Sequence, residues 1–126
     1  MLDSEDCLRH VMAVRGVIGA SLVEYPTGMT VRSAGTALGA DPQLTAAGVT
    51  GLVRASLATA ALATVGQPGR VEDIVLTAGN GYHLVHVVTG AAGDRLVLYA
   101  WLDRLLGNLA MARLQLSACA RELVAG

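Results

Sequence analysis

His83-Leu84-Val85-His86 is the segment of the chain closest to a metal-binding motif, since imidazole nitrogens are common ligands for zinc and related ions. The segment reads as a strand, however, and residues three apart on a strand point to opposite faces, so the two rings do not converge on one ion. No cysteine or acidic cluster lies beside them in sequence. His10 falls on an amphipathic stretch and reads as a surface or half-buried side chain rather than a general base. Nucleophilic catalysis needs a Ser or Cys with a base and an oxyanion site. No Gly-x-Ser-x-Gly elbow occurs, and Ser21 in Gly19-Ala20-Ser21 simply takes its turn in a strand alternation. Glu72 and Asp73 are adjacent, hence on opposite strand faces, and suit the solvation of an edge strand better than paired acid–base work. Gly90-Ala91-Ala92-Gly93 fits neither a dinucleotide fingerprint nor a Walker loop and reads as a turn. All nine basic residues are arginines, which removes the P-loop lysine, the Schiff-base lysine and the lysine general base together. The residues therefore point away from an enzyme, and no catalytic residue, metal or cofactor is expected.

The elements that carry these residues follow from composition and pattern. Of 126 residues, 53% are hydrophobic and 15% charged, which supports a packed core and lies far from the composition of disordered chains. A single domain over residues 1–126 is expected. The net charge of −1 supplies too little positive potential for a phosphate backbone or an anionic lipid surface. With no Phe, one Trp and three Tyr, stacking platforms for single-stranded nucleic acid are also lacking. Neither nucleic acid nor a membrane is expected as a partner. The start, Met1-Leu2-Asp3-Ser4-Glu5-Asp6, is acidic and leads into no apolar run, so it is no secretory signal and a cytoplasmic location is expected. Cys7 and Cys119 then read as buried thiols rather than a disulfide. Ala46 to Val65 is the one stretch apolar enough to suggest membrane insertion, but Arg54 at its middle costs about 2.5–3.5 kcal/mol there. The richness in Ala, Gly, Arg, Leu and Val resembles that of GC-rich bacterial coding sequences.

Ser4 to Arg15 reads as an amphipathic helix with Leu8, Val11, Met12 and Arg15 on one face, capped by Asp3 or Ser4 and followed by Gly16. Val17 to Glu24 and Met29 to Ser33 read as a hairpin around Tyr25-Pro26-Thr27-Gly28, and Gly35 to Gly39 as a loop. Asp41-Pro42 is the best helix start in the chain; that helix is expected to run to Val65, where Gly66-Gln67-Pro68-Gly69 stops it. Three strands follow, Val71 to Thr77, Tyr82 to Val88 and Arg95 to Leu102, joined by Gly79-Asn80-Gly81 and by Gly90 to Asp94. The last helix is expected from Leu105 to Val124, with Leu105, Leu109, Ala112, Leu116, Cys119 and Leu123 as one core-facing stripe. Hairpin-length connections make the sheet antiparallel, with helices on its faces.

The middle helix differs from the last. Val49, Val53 and Leu57 form one ridge with Ala60, while Leu44, Leu52 and Leu62 lie opposite or to the flank beside Gly48, Gly51 and Ala55, leaving only a narrow arc around Thr50 and Arg54 for water. One sheet covers one such face. Val71 to Thr77 is apolar toward both faces in its second half, and an uncovered edge bearing Ile74-Val75-Leu76 invites pairing. Both features ask for a partner, and a second copy of the chain is the simplest one. The competing arrangement is a first or last helix that crosses over and covers the spare face within one chain.

Val14-Arg15-Gly16-Val17-Ile18-Gly19-Ala20-Ser21-Leu22-Val23, followed by Gly28-Met29-Thr30-Val31-Arg32-Ser33-Ala34-Gly35, resembles the opening of the Roadblock family, the dynein-light-chain-like domains found in bacteria beside small GTPases. The order of elements resembles the family's over nearly the whole chain, and Asn108-Leu109 resembles an Asn-Leu pair common in its last helix. Where the family often has Asp-Gly in the first hairpin, this chain keeps Gly28 and loses the acidic residue. The resemblance implies an α+β, profilin-like architecture of order α-β-β-α-β-β-β-α, with a five-stranded antiparallel sheet sandwiched by helices. It also implies a homodimer joined through the middle helix and third strand, at Val49, Leu52, Val53, Ser56, Leu57, Ala60, Ile74, Val75 and Leu76. The function it implies is a non-catalytic platform for a Ras-like small GTPase in bacterial signalling, with a sensor histidine kinase as a further partner. Two other readings stay open, a small-ligand-sensing module and a structural scaffold for a sensor kinase without a GTPase.

Overall fold

Asp3 opens the first helix by accepting a hydrogen bond from the Asp6 N–H at 2.8 Å, satisfying one of the free amides of the first turn. The computed structural model describes residues 2–25, 27–37, 41–59, 71–89 and 95–123. Its elements are α1 (Ser4–Met12), β1 (Val17–Glu24), β2 (Met29–Gly35), α2 (Pro42–Thr59), β3 (Asp73–Ala78), β4 (Gly81–Thr89), β5 (Arg95–Leu102) and α3 (Leu109–Glu122). The expected order of elements is the observed one. The strands form one antiparallel sheet in the order β2-β1-β5-β4-β3. The last strand to be made thus lies at the centre, where it joins the β1–β2 hairpin to the β3–β4 hairpin.

Strand alternation sorts the side chains into two layers. Ala20, Leu22, Leu84, Leu98, Ala100 and Leu102 point to one face, where they pack with Cys7, Leu8 and Val11 of α1 and Ala112, Leu116 and Cys119 of α3. Val23, Val85, Val97 and Tyr99 point to the other, against Ala46, Val49 and Val53 of α2. The sheet is therefore sandwiched between α1 and α3 on one side and α2 on the other.

Several boundaries differ from the sequence reading, each for a local reason. α1 stops at Met12, because the N–H groups of Val14 and Val17 turn back onto the carbonyls of Val11 and Val14, so Arg15 lies in a turn rather than on the helical face. Gly16 completes that turn at φ +89°, and a Cβ there would come within 2.5 Å of the Gly107 Cα. β2 continues through Ala34 and Gly35, which pair with Ala20 and Gly19, where a loop was expected from Gly35. Val71 and Glu72 precede β3 rather than belonging to it.

α3 starts at Leu109 and not at Leu105. Asp103 Oδ1 accepts from the N–H groups of both Leu105 and Leu106 at 2.8 Å, closing a separate turn, and Asn108 caps the helix by accepting from Met111 N at 3.0 Å. Leu105, expected in the core stripe, is consequently 95% exposed. The expected end of the middle helix at Val65, its stop at Gly66 to Gly69, Gly39, and the Gly90 to Asp94 connection lie outside the described residues.

Candidate functional site

α2 is fastened to one side of its face. Asp41 Oδ1 accepts from Gln43 N at 2.9 Å, Gln43 Nε2 donates to the Gly28 carbonyl at 2.7 Å, and the Thr30 hydroxyl donates to the Pro42 carbonyl at 3.3 Å. These bonds tie the start of the helix to the β1–β2 hairpin. Gly28, at φ +75°, brings the turn against Thr50. Thr50, expected to face water, is buried instead and returns its hydroxyl to the Ala46 carbonyl at 2.8 Å, the bond that lets a threonine sit inside a helix-packed layer.

With α2 drawn toward β1 and β2, no helix among the described residues covers the β3–β4 half of that face. Leu76 on β3 is 47% exposed, and Leu44 and Leu57 on α2 are 62% and 41% exposed. Between Leu44 and Leu76 runs a groove of about 310 Å³ lined also by Gly48, Leu52, Ala78, Asn80, His83 and Tyr99, among others. Among the described residues β3 pairs only with β4, which leaves it an edge strand of the sheet.

The expected interface residues divide accordingly. Leu57 and Leu76 are exposed, Leu52, Ser56 and Ile74 half-buried beside the groove, and Val49 and Val53 buried against the chain's own sheet. Val75 pairs with Leu84 of the opposite layer, so its side chain points away from Ile74 and Leu76, because successive strand residues alternate. Ala60 lies outside the described residues.

The groove floor carries a polar network absent from the sequence reading. Asn80 Oδ1 accepts from His83 Nε2 at 2.8 Å, and the Tyr99 hydroxyl donates to His83 Nδ1 at 2.7 Å; an amide oxygen can only accept, which sets the tautomer. Trp101 Nε1 donates to the Asn80 carbonyl at 2.8 Å. Burial lowers the pKa of His83 below the usual histidine range and raises that of Tyr99, so the network is neutral. Both ring nitrogens of His83 are occupied, which leaves it neither a free base nor a free ligand. The signal for it was Gly79-Asn80-Gly81 itself, a turn whose asparagine stands three residues before a histidine.

His86 points to the opposite layer, in a depression it shares with Glu72, Asp73 and Arg113. Its pKa is lowered by burial, with Asp73 and Glu72 opposing that shift and Arg121 adding to it. Asp73 is more than edge solvation, because its Oδ2 accepts from both Nε and Nη2 of Arg113 at 2.9 Å and so clamps α3 to the sheet edge. Glu72 lies ahead of the strand and lines the same depression, so strand alternation does not separate the two carboxylates. Among the described residues no group of three or more His, Cys, Asp or Glu could hold a metal ion, and no helix is long and apolar enough to cross a membrane.

A helix-bound antiparallel sheet with this strand order, open at β2 and β3, has clear structural counterparts. No protein-family model and no curated protein matches the sequence. Among solved structures, the Roadblock/LC7 domain from Streptomyces avermitilis superposes with a TM-score of 0.76 at 17% identity, covering 96% of this chain and 94% of its own. Myxococcus xanthus MglB superposes at 0.73 and 22% identity, covering 92% of this chain and 80% of its own. An MglB with a tetrameric arrangement superposes at 0.69 and 21% identity, covering 94% and 88%. The chain has the Roadblock/LC7 fold.

Proposed function

We propose that the protein is a non-catalytic, homodimeric platform of the Roadblock type that binds and regulates a Ras-like small GTPase in bacterial signalling. The observation that carries this reading is the apolar groove between α2 and the edge strand β3, a face that the described residues cover only in part. A second copy, related by a twofold axis, can add its β3 to this one and lay its α2 along the groove, burying Leu57, Leu76, Leu52 and Ile74 while continuing the sheet. Ser56 would lie within that contact, Val49 and Val53 would support it from beneath, and Val75 would take part through its backbone. One structural neighbour is described in a tetrameric arrangement, so self-association has a precedent in this fold. A cytoplasmic location and a single domain over residues 1–126 accompany the reading.

Sedimentation equilibrium tests the dimer. The wild-type chain is expected to be dimeric and Leu76→Arg monomeric with an unchanged circular dichroism spectrum, because a charge in a buried apolar contact has no partner. A wild-type monomer, or a dimer indifferent to Leu76→Arg, overturns the interface. For the partner, the chain is used as bait in the native cytosol with guanosine diphosphate or a non-hydrolysable triphosphate analogue. A small GTPase retained in a nucleotide-dependent ratio supports the platform; a sensor kinase or nothing overturns the GTPase reading. The groove with Asn80, His83 and Tyr99 on its floor favours a second reading, a small-ligand-sensing module, which predicts an apolar compound released from the purified protein on denaturation.

A further inference from the structure

His83 and Tyr99 are 7% and 4% exposed, and both line the groove together with Asn80. Their hydrogens run in one direction. The Tyr99 hydroxyl donates to His83 Nδ1 at 2.7 Å, and His83 Nε2 donates to Asn80 Oδ1 at 2.8 Å. The imidazole is held between two aromatic side chains of β5, with its centroid 6.0 Å from the Tyr99 ring and 6.1 Å from that of Trp101. Among the described residues that line the groove, none is charged, and Tyr99 is the one titratable group besides His83. Leu44, Gly48 and Leu52 of α2 and Leu76 of β3 offer no hydrogen-bonding side chain, and Thr45 is buried and already partnered.

Neutral His83 suits both of its partners, and imidazolium suits only one. A second proton enters at Nδ1, which then donates, while Nε2 keeps its bond to Asn80. Tyr99 must accept that new donor at its oxygen and turn its own hydrogen into the groove. In a separate chain, water in the groove takes that hydrogen. A second copy lying over the groove displaces the water, so the hydroxyl hydrogen loses its acceptor and the imidazolium loses its remaining hydration. The separate chain accordingly takes up a proton that the dimer refuses.

We propose that His83 is a pH switch for self-association, its protonation in the open groove favouring separate chains over the dimer. The inference rests on the dimer reading above. Burial already lowers the His83 pKa below the ordinary 6.5 in the separate chain, and cover by a second copy lowers it further. The dissociation constant is therefore flat from neutral pH down to the separate chain's value and rises as pH falls through it. Each dimer holds two such sites, so the rise approaches about a hundredfold per pH unit until His83 of the dimer titrates in turn. His86, with Glu72, Asp73 and Arg113, lines the depression on the opposite layer and serves as the internal control.

Sedimentation equilibrium of the wild-type chain from about pH 7.5 to about pH 5, with a circular dichroism spectrum of each sample, tests the switch. The expected result is a dimer at the upper pH whose dissociation constant rises at least about tenfold toward the lower while the folded spectrum persists. A dimer of constant affinity overturns the switch alone, whereas a wild-type monomer at the upper pH overturns the dimer reading and the switch with it. Loss of the folded spectrum before dissociation also overturns the switch. His83→Gln, whose side chain does not titrate, should give a flat profile, and His86→Gln should keep the wild-type rise. A rise that survives His83→Gln, or vanishes in His86→Gln, overturns the assignment to His83. If His83→Gln does not fold, imidazole resonances of the wild-type chain decide: His83 should titrate at lower pH in concentrated, dimeric samples than in dilute ones, and equal titration overturns the proposal.

Discussion

Among the described residues, α1 and α3 close one face of the sheet around fourteen buried residues, whereas α2 closes part of the other around seven. Both faces are built from the same strands by the same alternation, so the difference lies in what covers them. Two helices share the first face and also pack on each other, with Arg113 clamping α3 to β3. Among the described residues the second face carries α2, which is tied by Gln43 and Thr30 to the β1–β2 hairpin and leaves a groove between it and β3. The first face thus holds the chain together, and the second leaves apolar surface for another molecule.

The largest expected effect separates the two faces directly. Leu98, fully buried at the centre of the closed face, should cost about 2–5 kcal/mol on change to alanine, because the transfer energy is lost and a cavity remains. Leu57→Ala on the open face, made in the monomeric Leu76→Arg background where no second copy covers it, should move stability by no more than about 0.5 kcal/mol. Equal losses in urea denaturation would erase the distinction.

His83→Leu should cost about 1–3 kcal/mol, since it strands the buried Tyr99 hydroxyl on the groove floor. The pH dependence has a definite sign. Burial lowers the pKa of His83 and His86 below the ordinary 6.5, so below that pH the unfolded chain binds protons that the folded chain refuses. Stability should be full above about 6.5 and fall as pH drops from there toward the folded-state values, with His83→Leu removing part of the slope. Denaturation midpoints measured across that range check both points. Arg113→Ala should have the smallest effect, a barely moved thermal midpoint, because its ion pair with Asp73 is solvent-exposed and screened; a large loss would mean that the clamp matters more than the packing beneath it.

Much of this architecture is legible without coordinates, because its signals are local. The bounds of β1 and β5 follow from β-branched content and alternation, α2 begins where Asp41-Pro42 says it must, and the edge strand that needs protection is β3. Misreadings occur where a side chain competes with the pattern. Leu105 keeps the helical spacing of its neighbours, but Asp103 captures its N–H in a turn, and the periodicity of apolar residues carries no trace of that hydrogen bond. Thr50 reads as a water-facing position because its hydroxyl is polar, yet a bond to its own helix satisfies it. At the candidate site, the residues expected at an interface sit on the helix and strand that border the groove, but a helical wheel counts apolar faces without saying which one the chain's own sheet occupies, so the burial of Val49 and Val53 against that sheet is not legible in it.

Capping, turn chemistry and hydrophobic period act over a few residues, and by themselves they determined the order of elements, the antiparallel pairing and the existence of a second apolar face. Tertiary structure alone decided that β5 lies centrally, that α2 sits off to one side and so opens a groove, and that Cys7 and Cys119 enter one core cluster. Those are juxtapositions of distant segments, set by how whole layers pack, and no short window of sequence contains both partners.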